Sequence, residues 1–144
     1  MVNLASLVGL FMMIGGFLGL IRRGQLLSAS RAVIVLQLSA IVLLVWARVT
    51  FGRRSFHATA APTEGGVVMT GPYRWIRHPI YTAFSLFSLA CWVGHPSWFS
   101  FSMAGVVIAG GVTRMFAEEA LLKVRYPEYA QYARKTKRMV PHVF

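Results

Sequence analysis

Long uncharged apolar stretches alternate along this chain with short basic segments. The first stretch runs from Val2 to Ile21, and at 1.5 Å per residue its roughly 20 residues are enough to cross a hydrocarbon core of about 30 Å. Three shorter stretches follow, over Ala32–Ala47, Ile80–Gly94 and Ser97–Thr113. Helices this short sit where the bilayer is thin, tilt little, or extend beyond the core at one end. The pattern therefore predicts an all-α integral membrane protein with about four transmembrane helices.

Turn and break residues define the connections between these helices. The Gly-His-Pro sequence at 94–96 separates the third stretch from the fourth, so these two helices are predicted to form a tight hairpin. Beyond the break at Tyr126-Pro127, the stretch Glu128–Arg138 carries four cations and is typical of an interfacial helix held on anionic lipid. We expect a single membrane domain over residues 1–144, with an N-terminal helical hairpin over 1–50.

Small residues in two of the predicted helices allow close helix contact. Gly15 and Gly19 form a GxxxG pattern in the first helix, and the fourth has small residues at Gly105 and from Ala109 to Gly111. No positive charge precedes the first apolar stretch, as a signal peptide would require. We therefore expect the first helix to remain in the mature protein.

Composition supports the membrane interpretation and narrows the class of partner. The chain is 56% hydrophobic and only 13% charged, too few charges to cover a soluble globule of this size. Fifteen Lys and Arg against four acidic residues give a net charge of +11. Because most of these cations flank apolar spans, they favour lipid headgroups over nucleic acid as partners. Cys91 is the single cysteine, so no intrachain disulfide can form.

The distribution of Lys and Arg predicts the orientation in the membrane. Residues 48–77 hold five such cations and the tail from Arg114 onward holds seven, whereas the turn at 94–97 holds none. The 48–79 connection and the C-terminus should therefore face the cytoplasm. Arg22, Arg23 and Arg31 do not fit this pattern, so either they are exceptions or the second helix does not fully cross.

The segment 71–81 combines polar, aromatic and proline residues where the third helix begins. Pro79 suits the first helical turn, which places Arg77, His78 and Tyr81 at the N-terminus of a membrane helix, where the dipole favours an anion. The segment is therefore a candidate seat for a carboxylate. The alternative is a cytoplasmic anchor of arginine and aromatic residues, which applies chiefly to Arg74 and Trp75, whereas the other three tryptophans fit an interfacial belt.

Half of the acidic residues of the chain form one dipeptide, Glu118-Glu119. It is predicted to lie at the cytoplasmic end of the fourth helix, and a tight hairpin would bring Glu118 and Tyr81 to the same membrane face. An ionisable group at that depth is a functional candidate. The alternative is pairing along the helix at i,i+4, Glu118 with Arg114 and Glu119 with Lys123.

These two clusters carry a resemblance to a known family. The segment GPYRWIRHPIYTA, a helical hairpin and then EEALLKVRYPEYAQYARKTKRMVP resemble the C-terminal region of the isoprenylcysteine carboxyl methyltransferases, and more distantly the phospholipid N-methyltransferases. The resemblance covers residues 71–141 and implies a cofactor-binding core there. Members are integral membrane enzymes that use S-adenosylmethionine without a Rossmann domain.

By matching positions, the resemblance implies roles for individual residues. It implies that His78 and Tyr81 contact the cofactor, that Pro79 shapes the turn and that Glu118 and Glu119 complete the pocket. Arg77 would lie near the methyl acceptor. Ala83 stands where the family usually has glycine, which adds one methyl group beside the cofactor.

Methyl transfer from a sulfonium is an in-line displacement, to which an enzyme contributes mainly alignment and tolerance of the positive sulfur. Aromatic faces such as Tyr81 or Tyr73 provide that tolerance by cation–π attraction, and Glu118 or Glu119 by charge. A carboxylate or thiolate acceptor needs no base, whereas an amine or phenol needs one, for which Glu118 and His78 are candidates. The other histidines are scattered, so no metal site is expected.

Our leading hypothesis is a methyltransferase in the cell inner or plasma membrane. It would transfer a methyl group from S-adenosylmethionine to a lipophilic acceptor, with Arg77 and Glu118 catalytic and the site facing the cytoplasm. The alternative is a non-enzymatic polybasic membrane protein that acts as an assembly or lipid-binding partner. The sequence leaves open whether the acceptor is a carboxylate, amine, thiol or phenol, and which oligomer forms.

Overall fold

The computed structural model describes residues 2–52, 66–141 and 143–144, and within them the fold is all-helical, as predicted. Five α-helices follow in the order α1 (Val2–Arg22), α2 (Arg31–Phe51), α3 (Pro79–Gly94), α4 (Trp98–Arg125) and α5 (Tyr129–Lys135). A short 3₁₀ helix, Gly71–Arg74, precedes α3. Arg53, Arg54, His57 and His142 lie outside the described residues.

Three of these helices are long and apolar enough to cross a membrane. They are α1 and α2, with 21 residues each, and α4 with 28, and all three expose many apolar side chains. The fourth apolar helix, α3, has 16 residues and falls short of that length. The structure thus supports three candidate spans, while a fourth crossing by α3 stays a prediction.

Two helices have bounds that differ from the predicted stretches. The fourth helix extends beyond the apolar stretch that ends at Thr113 and includes Glu118 and Glu119, because the following residues are mostly strong helix formers, and it ends at Arg125, before Pro127. The interfacial helix predicted over Glu128–Arg138 is shorter: α5 has seven residues and ends at Lys135. Lys137 instead forms a parallel bridge with Ile76, so this part of the chain is extended rather than helical.

The helices pack in the order α1, α4, α3, α2, and glycines allow the closest contact, between α1 and α4. A Cβ atom added at Gly9 would lie 2.5 Å from the carbonyl oxygen of Gly110, and one at Gly16 would lie 2.9 Å from the carbonyl oxygen of Met103. Real Cβ atoms essentially never approach backbone so closely, so this crossing requires glycine.

The small-residue faces predicted from sequence are only partly correct. Gly19 does lie against Met103 of α4, but Gly15 and Gly105 have no atom within 4 Å of an added Cβ, and Ala109 is exposed. The GxxxG motif predicted a contact face that includes Gly15, whereas α4 packs on the face of α1 that holds Gly9 and Gly16.

At one end of the bundle lie the α1–α2 connection and the α3–α4 turn. Gln37 donates from Nε2 to the carbonyl of Leu26 at 2.7 Å, and the Cys91 thiol donates to the same oxygen at 3.4 Å. Arg23, in the connection, stacks on Phe99 near the start of α4. Helix α2 is long enough to cross a membrane, and its three neighbouring arginines, Arg22, Arg23 and Arg31, lie at this end of the bundle.

At the opposite end, the chain after α5 packs along the segment that enters α3. The amides of Arg77 and His78 donate to the carbonyls of Lys137 and Arg138 at 2.8 and 2.9 Å. Gly71 makes the preceding turn with φ +56°, where an added Cβ would lie 2.5 Å from the side chain of Thr50. The N-terminus of α3, the end of α4 and the C-terminal segment thereby meet in one place.

Candidate functional site

The buried carboxylate of Glu119 is the centre of a polar cluster at this meeting point. Its Oε1 lies 3.1 Å from Nε of Arg77 and 3.3 Å from Nε2 of His78, and its Oε2 lies 3.3 Å from Nε of Arg138. The side chain is only 3% exposed. Two guanidinium groups and the imidazole of His78 thus offset the cost of removing this carboxylate from water.

Glu118 faces the other side of the same cluster and is the more accessible of the two carboxylates, with 26% of its side chain exposed. It accepts a hydrogen bond from the Tyr81 hydroxyl. Its second oxygen lies 3.7 Å from Nδ1 of His78, and Arg114 Nη2 lies 3.9 Å from Oε1. Tyr81 of α3 and Glu118 of α4 are therefore in direct contact.

Local sequence explains how His78 reaches both carboxylates. Pro79 occupies the first turn of α3 and is fully buried, while His78 stands just outside the helix with φ −125° and ψ 55°. The His78 ring stacks on that of Tyr81 at 5.9 Å between centroids. Burial alone would lower the pKa of His78, but its hydrogen bonds to Glu118 and Glu119 outweigh that effect and raise the pKa.

Arg77 joins the cluster to the C-terminal segment. Besides its contact with Glu119, its Nη1 donates to the carbonyls of Ala133, at 3.0 Å, and Thr136. The side chain is 8% exposed. The contacts of Arg77 are therefore within the protein, and its predicted place beside a methyl acceptor stays a prediction.

Two further arginines belong to the cluster, and neither was singled out from sequence as a site residue. Arg114 donates from Nε to the Tyr81 hydroxyl at 3.0 Å and from Nη1 to the carbonyl of Ser6 at 3.1 Å. Arg138 has its guanidinium 5.3 Å from the ring centroids of both Phe116 and Phe144. One feature of the sequence could have identified Arg114 as a site residue, namely its position one helical turn before Glu118. No sequence feature distinguishes Arg138 from the other cations of the C-terminal tail.

Tyr73 lies beside the cluster rather than in it. Its ring packs on Phe51 with centroids 5.4 Å apart, and its carbonyl accepts a hydrogen bond from Tyr132 at 2.7 Å. Burial raises the pKa of Tyr73, and the charge of Glu118 adds to the effect. The contacts of Tyr73 are thus with Phe51 and Tyr132, and its role in cofactor binding stays a prediction.

The alternative of pairing along the helix holds for one glutamate and not for the other. Glu118 has Arg114 as its i,i+4 neighbour at 3.9 Å. Glu119 faces away from the exposed Lys123, and its partners come from the α3 entrance and the C-terminal segment. Within the described residues, no group of three or more His, Cys, Asp or Glu side chains could hold a metal ion.

Comparison with known sequences decides the family. The sequence model of the isoprenylcysteine carboxyl methyltransferase (ICMT) family matches residues 33–126, roughly two thirds of the chain. The chain belongs to the ICMT family. Neither a curated protein nor a solved structure matches it significantly. Membership and the three long apolar helices together identify an integral membrane methyltransferase.

The ICMT match covers most of α2 and the whole of α3 and α4, and with them both halves of the polar cluster. It leaves out α1 and the C-terminal segment that holds Arg138. The groups that contact the cluster from outside the match therefore include the carbonyls of Ser6, Ala133 and Thr136 and the side chain of Arg138.

Proposed function

We propose that this ICMT member transfers a methyl group from S-adenosylmethionine to a lipophilic acceptor at the cytoplasmic face of the membrane. The observation that carries the proposal is the junction of His78, Tyr81 and Glu118 at the N-terminus of α3. A protein that only filled the membrane would have no need for charged groups buried there.

The residues of the cluster fit the chemical groups of this cofactor. The first-turn amides of α3 and the helix dipole favour a carboxylate, as the amino-acid part of the cofactor carries. Glu118, partly exposed, is suited to an ammonium or a sulfonium, and the Tyr81 ring offers a π face to the same charge. When bound, S-adenosylmethionine supplies an electrophilic methyl group on positively charged sulfur.

The protein's own residues align the reactants and set the charge around them. Glu119 holds Arg77 and His78 in fixed positions, so the α3 entrance is organised before anything binds. Among the described residues, three guanidinium groups surround two carboxylates in the cluster, which favours an anionic acceptor. An acceptor carboxylate attacks without a base, and Arg138, with 32% of its side chain exposed, is the most accessible of these cations.

Calorimetric titration of S-adenosylmethionine into the detergent-purified protein tests the proposal. We expect the wild type to bind, and His78→Ala and Glu118→Ala to bind at least about tenfold more weakly, since each loses a buried or charged contact of the site. Glu128→Gln changes an exposed carboxylate outside the cluster and serves as the control. No binding by the wild type would favour the non-enzymatic polybasic protein instead.

Labelling of introduced cysteines tests the proposed orientation. In a Cys91→Ala background, Lys135→Cys places a thiol at the end of the molecule that holds the cluster, and Ala29→Cys places one at the opposite end, in the α1–α2 connection. Both positions are exposed, so both thiols can react. We expect a membrane-impermeant maleimide applied to intact cells to modify position 29 and spare position 135. The reverse pattern would contradict a cytoplasmic site.

A further inference from the structure

The side chain of Arg114 connects the candidate site to a helix that the family match does not include. Its three guanidinium nitrogens face three helices: Nε donates to the hydroxyl of Tyr81 in α3, Nη1 donates to the carbonyl of Ser6 in α1, and Nη2 lies 3.9 Å from Glu118 in α4 itself. The side chain is 7% exposed. We infer that Arg114 is a positioning residue, which holds Tyr81 and Glu118 in place and takes its own position from the backbone of α1.

The hydrogen bonds diverge from Arg114, one toward the Ser6 carbonyl of α1 and one toward the candidate site. Arg114 donates to the Tyr81 oxygen, and the Tyr81 hydroxyl donates in turn to Glu118. A phenol that accepts from a guanidinium is a better donor to a carboxylate, because hydrogen bonds in a chain polarise one another. Arg114 thus fixes both the orientation of the Tyr81 hydroxyl and the carboxylate that receives its hydrogen bond.

A guanidinium suits this place better than an ammonium. Its planar fork presents donors in fixed directions, so one side chain can hold a carbonyl and a hydroxyl on two different helices. A lysine has a single nitrogen on a flexible stem and cannot keep both directions at once. A buried cation among membrane helices is costly unless it is paired, and the partners of Arg114 offset that cost.

The contact with α1 depends on the glycine crossing described above. A Cβ atom at Gly9 would lie 2.5 Å from the Gly110 carbonyl and 2.8 Å from Cγ of Arg114. Since Gly9 lies less than one turn after Ser6, the same close approach brings the Ser6 carbonyl within reach of the guanidinium. The N-terminal helix thereby takes part in the site through its backbone.

The inference rests on the proposed function, and binding of S-adenosylmethionine by the wild type is measured first. Arg114→Met should then raise the Kd by about tenfold, and Arg114→Lys should recover only part of the loss. In a Tyr81→Phe background the same Arg114→Met change should cost less than about twofold, because the link through the hydroxyl is already gone. A residue needed only for helix packing would cost the same factor in both backgrounds.

Two glycine variants test the α1 contribution separately. Gly9→Ala should weaken binding, whereas Gly15→Ala, on the same helix with open space around it, should bind like the wild type. This pair decides the matter if Arg114→Met does not fold. Failure of the wild type to bind would overturn the proposed function. Binding by the wild type with equal Kd values for Gly9→Ala and Gly15→Ala, or equal effects of Arg114→Met in both backgrounds, would overturn the role of Arg114.

Discussion

Both ends of the helix bundle contain arginines, which are paired with carboxylates at one end and exposed at the other. At the end with the candidate site, Arg77 and Arg114 are buried with the carboxylates of Glu118 and Glu119. At the opposite end, the arginines beside the α1–α2 connection are exposed, and Arg23 lies on the ring of Phe99 at 4.6 Å. The carboxylates among the described residues are all at the first end.

The interior of the far end is held by neutral groups instead. The buried amide of Gln37 and the thiol of Cys91 both donate to the carbonyl of Leu26, and Ser97 and Ser100 form a capping box at the start of α4. Because a lone buried charge is far more costly than a lone buried amide, charge enters the interior only where carboxylates are available. The buried charges are thus concentrated at the end where we propose the chemistry, and the interior contacts of the far end are made by neutral groups.

Loss of the central carboxylate should have the largest effect. Glu119→Ala leaves Arg77, His78 and Arg138 without their common partner, and removing one member of a buried ion pair costs about 3 to 5 kcal/mol. Thermal unfolding in detergent should show a large drop in Tm. Glu128→Gln, the exposed control, should unfold like the wild type, and an equal Tm for Glu119→Ala would show that the cluster does not stabilise the fold.

At the far end, Gln37→Leu should have a smaller effect of a different kind. The Leu26 carbonyl loses its 2.7 Å hydrogen bond, which costs about 1 to 2 kcal/mol, while the Cys91 thiol still donates to it. We expect a modest drop in Tm and an unchanged Kd for S-adenosylmethionine. A weakened Kd would show that the two ends are not separate in function.

The order of the helices along the chain and the meeting of the two polar clusters could be predicted from sequence. The lengths of the apolar stretches give the helices, and the short turn at 94–97 brings the third helix against the fourth. The end of α4 could not be predicted from hydropathy, because the apolar stretch ends at Thr113 whereas residues of high helix propensity continue to Arg125. The place of Arg138 in the cluster could not be predicted either, because it depends on the extended pairing of Ile76 with Lys137, a contact between segments 61 positions apart. Non-local backbone contacts of this kind leave no periodic signal.

Rising pH should weaken the site end alone. The two carboxylates raise the pKa of His78 in the folded state, so its stabilising contribution is fully present below the unfolded value of about 6.5 and is lost as pH rises through the folded pKa. Tm should therefore fall in the wild type as the pH rises above about 6.5. His78→Gln should give a flatter profile, and an equal slope would assign the fall to other groups.

The smallest effect is expected for Cys91→Ala. The thiol is buried against Leu26 and Gln37, but its hydrogen bonds are weak, so the loss should be below about 1 kcal/mol. Because Gln37 continues to donate to Leu26, Tm should change little. A drop as large as that of Gln37→Leu would show that the thiol, rather than the amide, holds the connection to α2.

If the buried charged cluster is a methyl-transfer site, as we propose, the protein must transfer a methyl group and the transfer must depend on Glu118. Membranes containing the wild type, Glu118→Gln or Glu128→Gln are incubated with methyl-labelled S-adenosylmethionine and a lipid extract, and the label in the organic phase is counted. We predict transfer by the wild type and Glu128→Gln, with a loss of at least about a hundredfold for Glu118→Gln. Equal transfer by Glu118→Gln, or none by the wild type, would contradict the account.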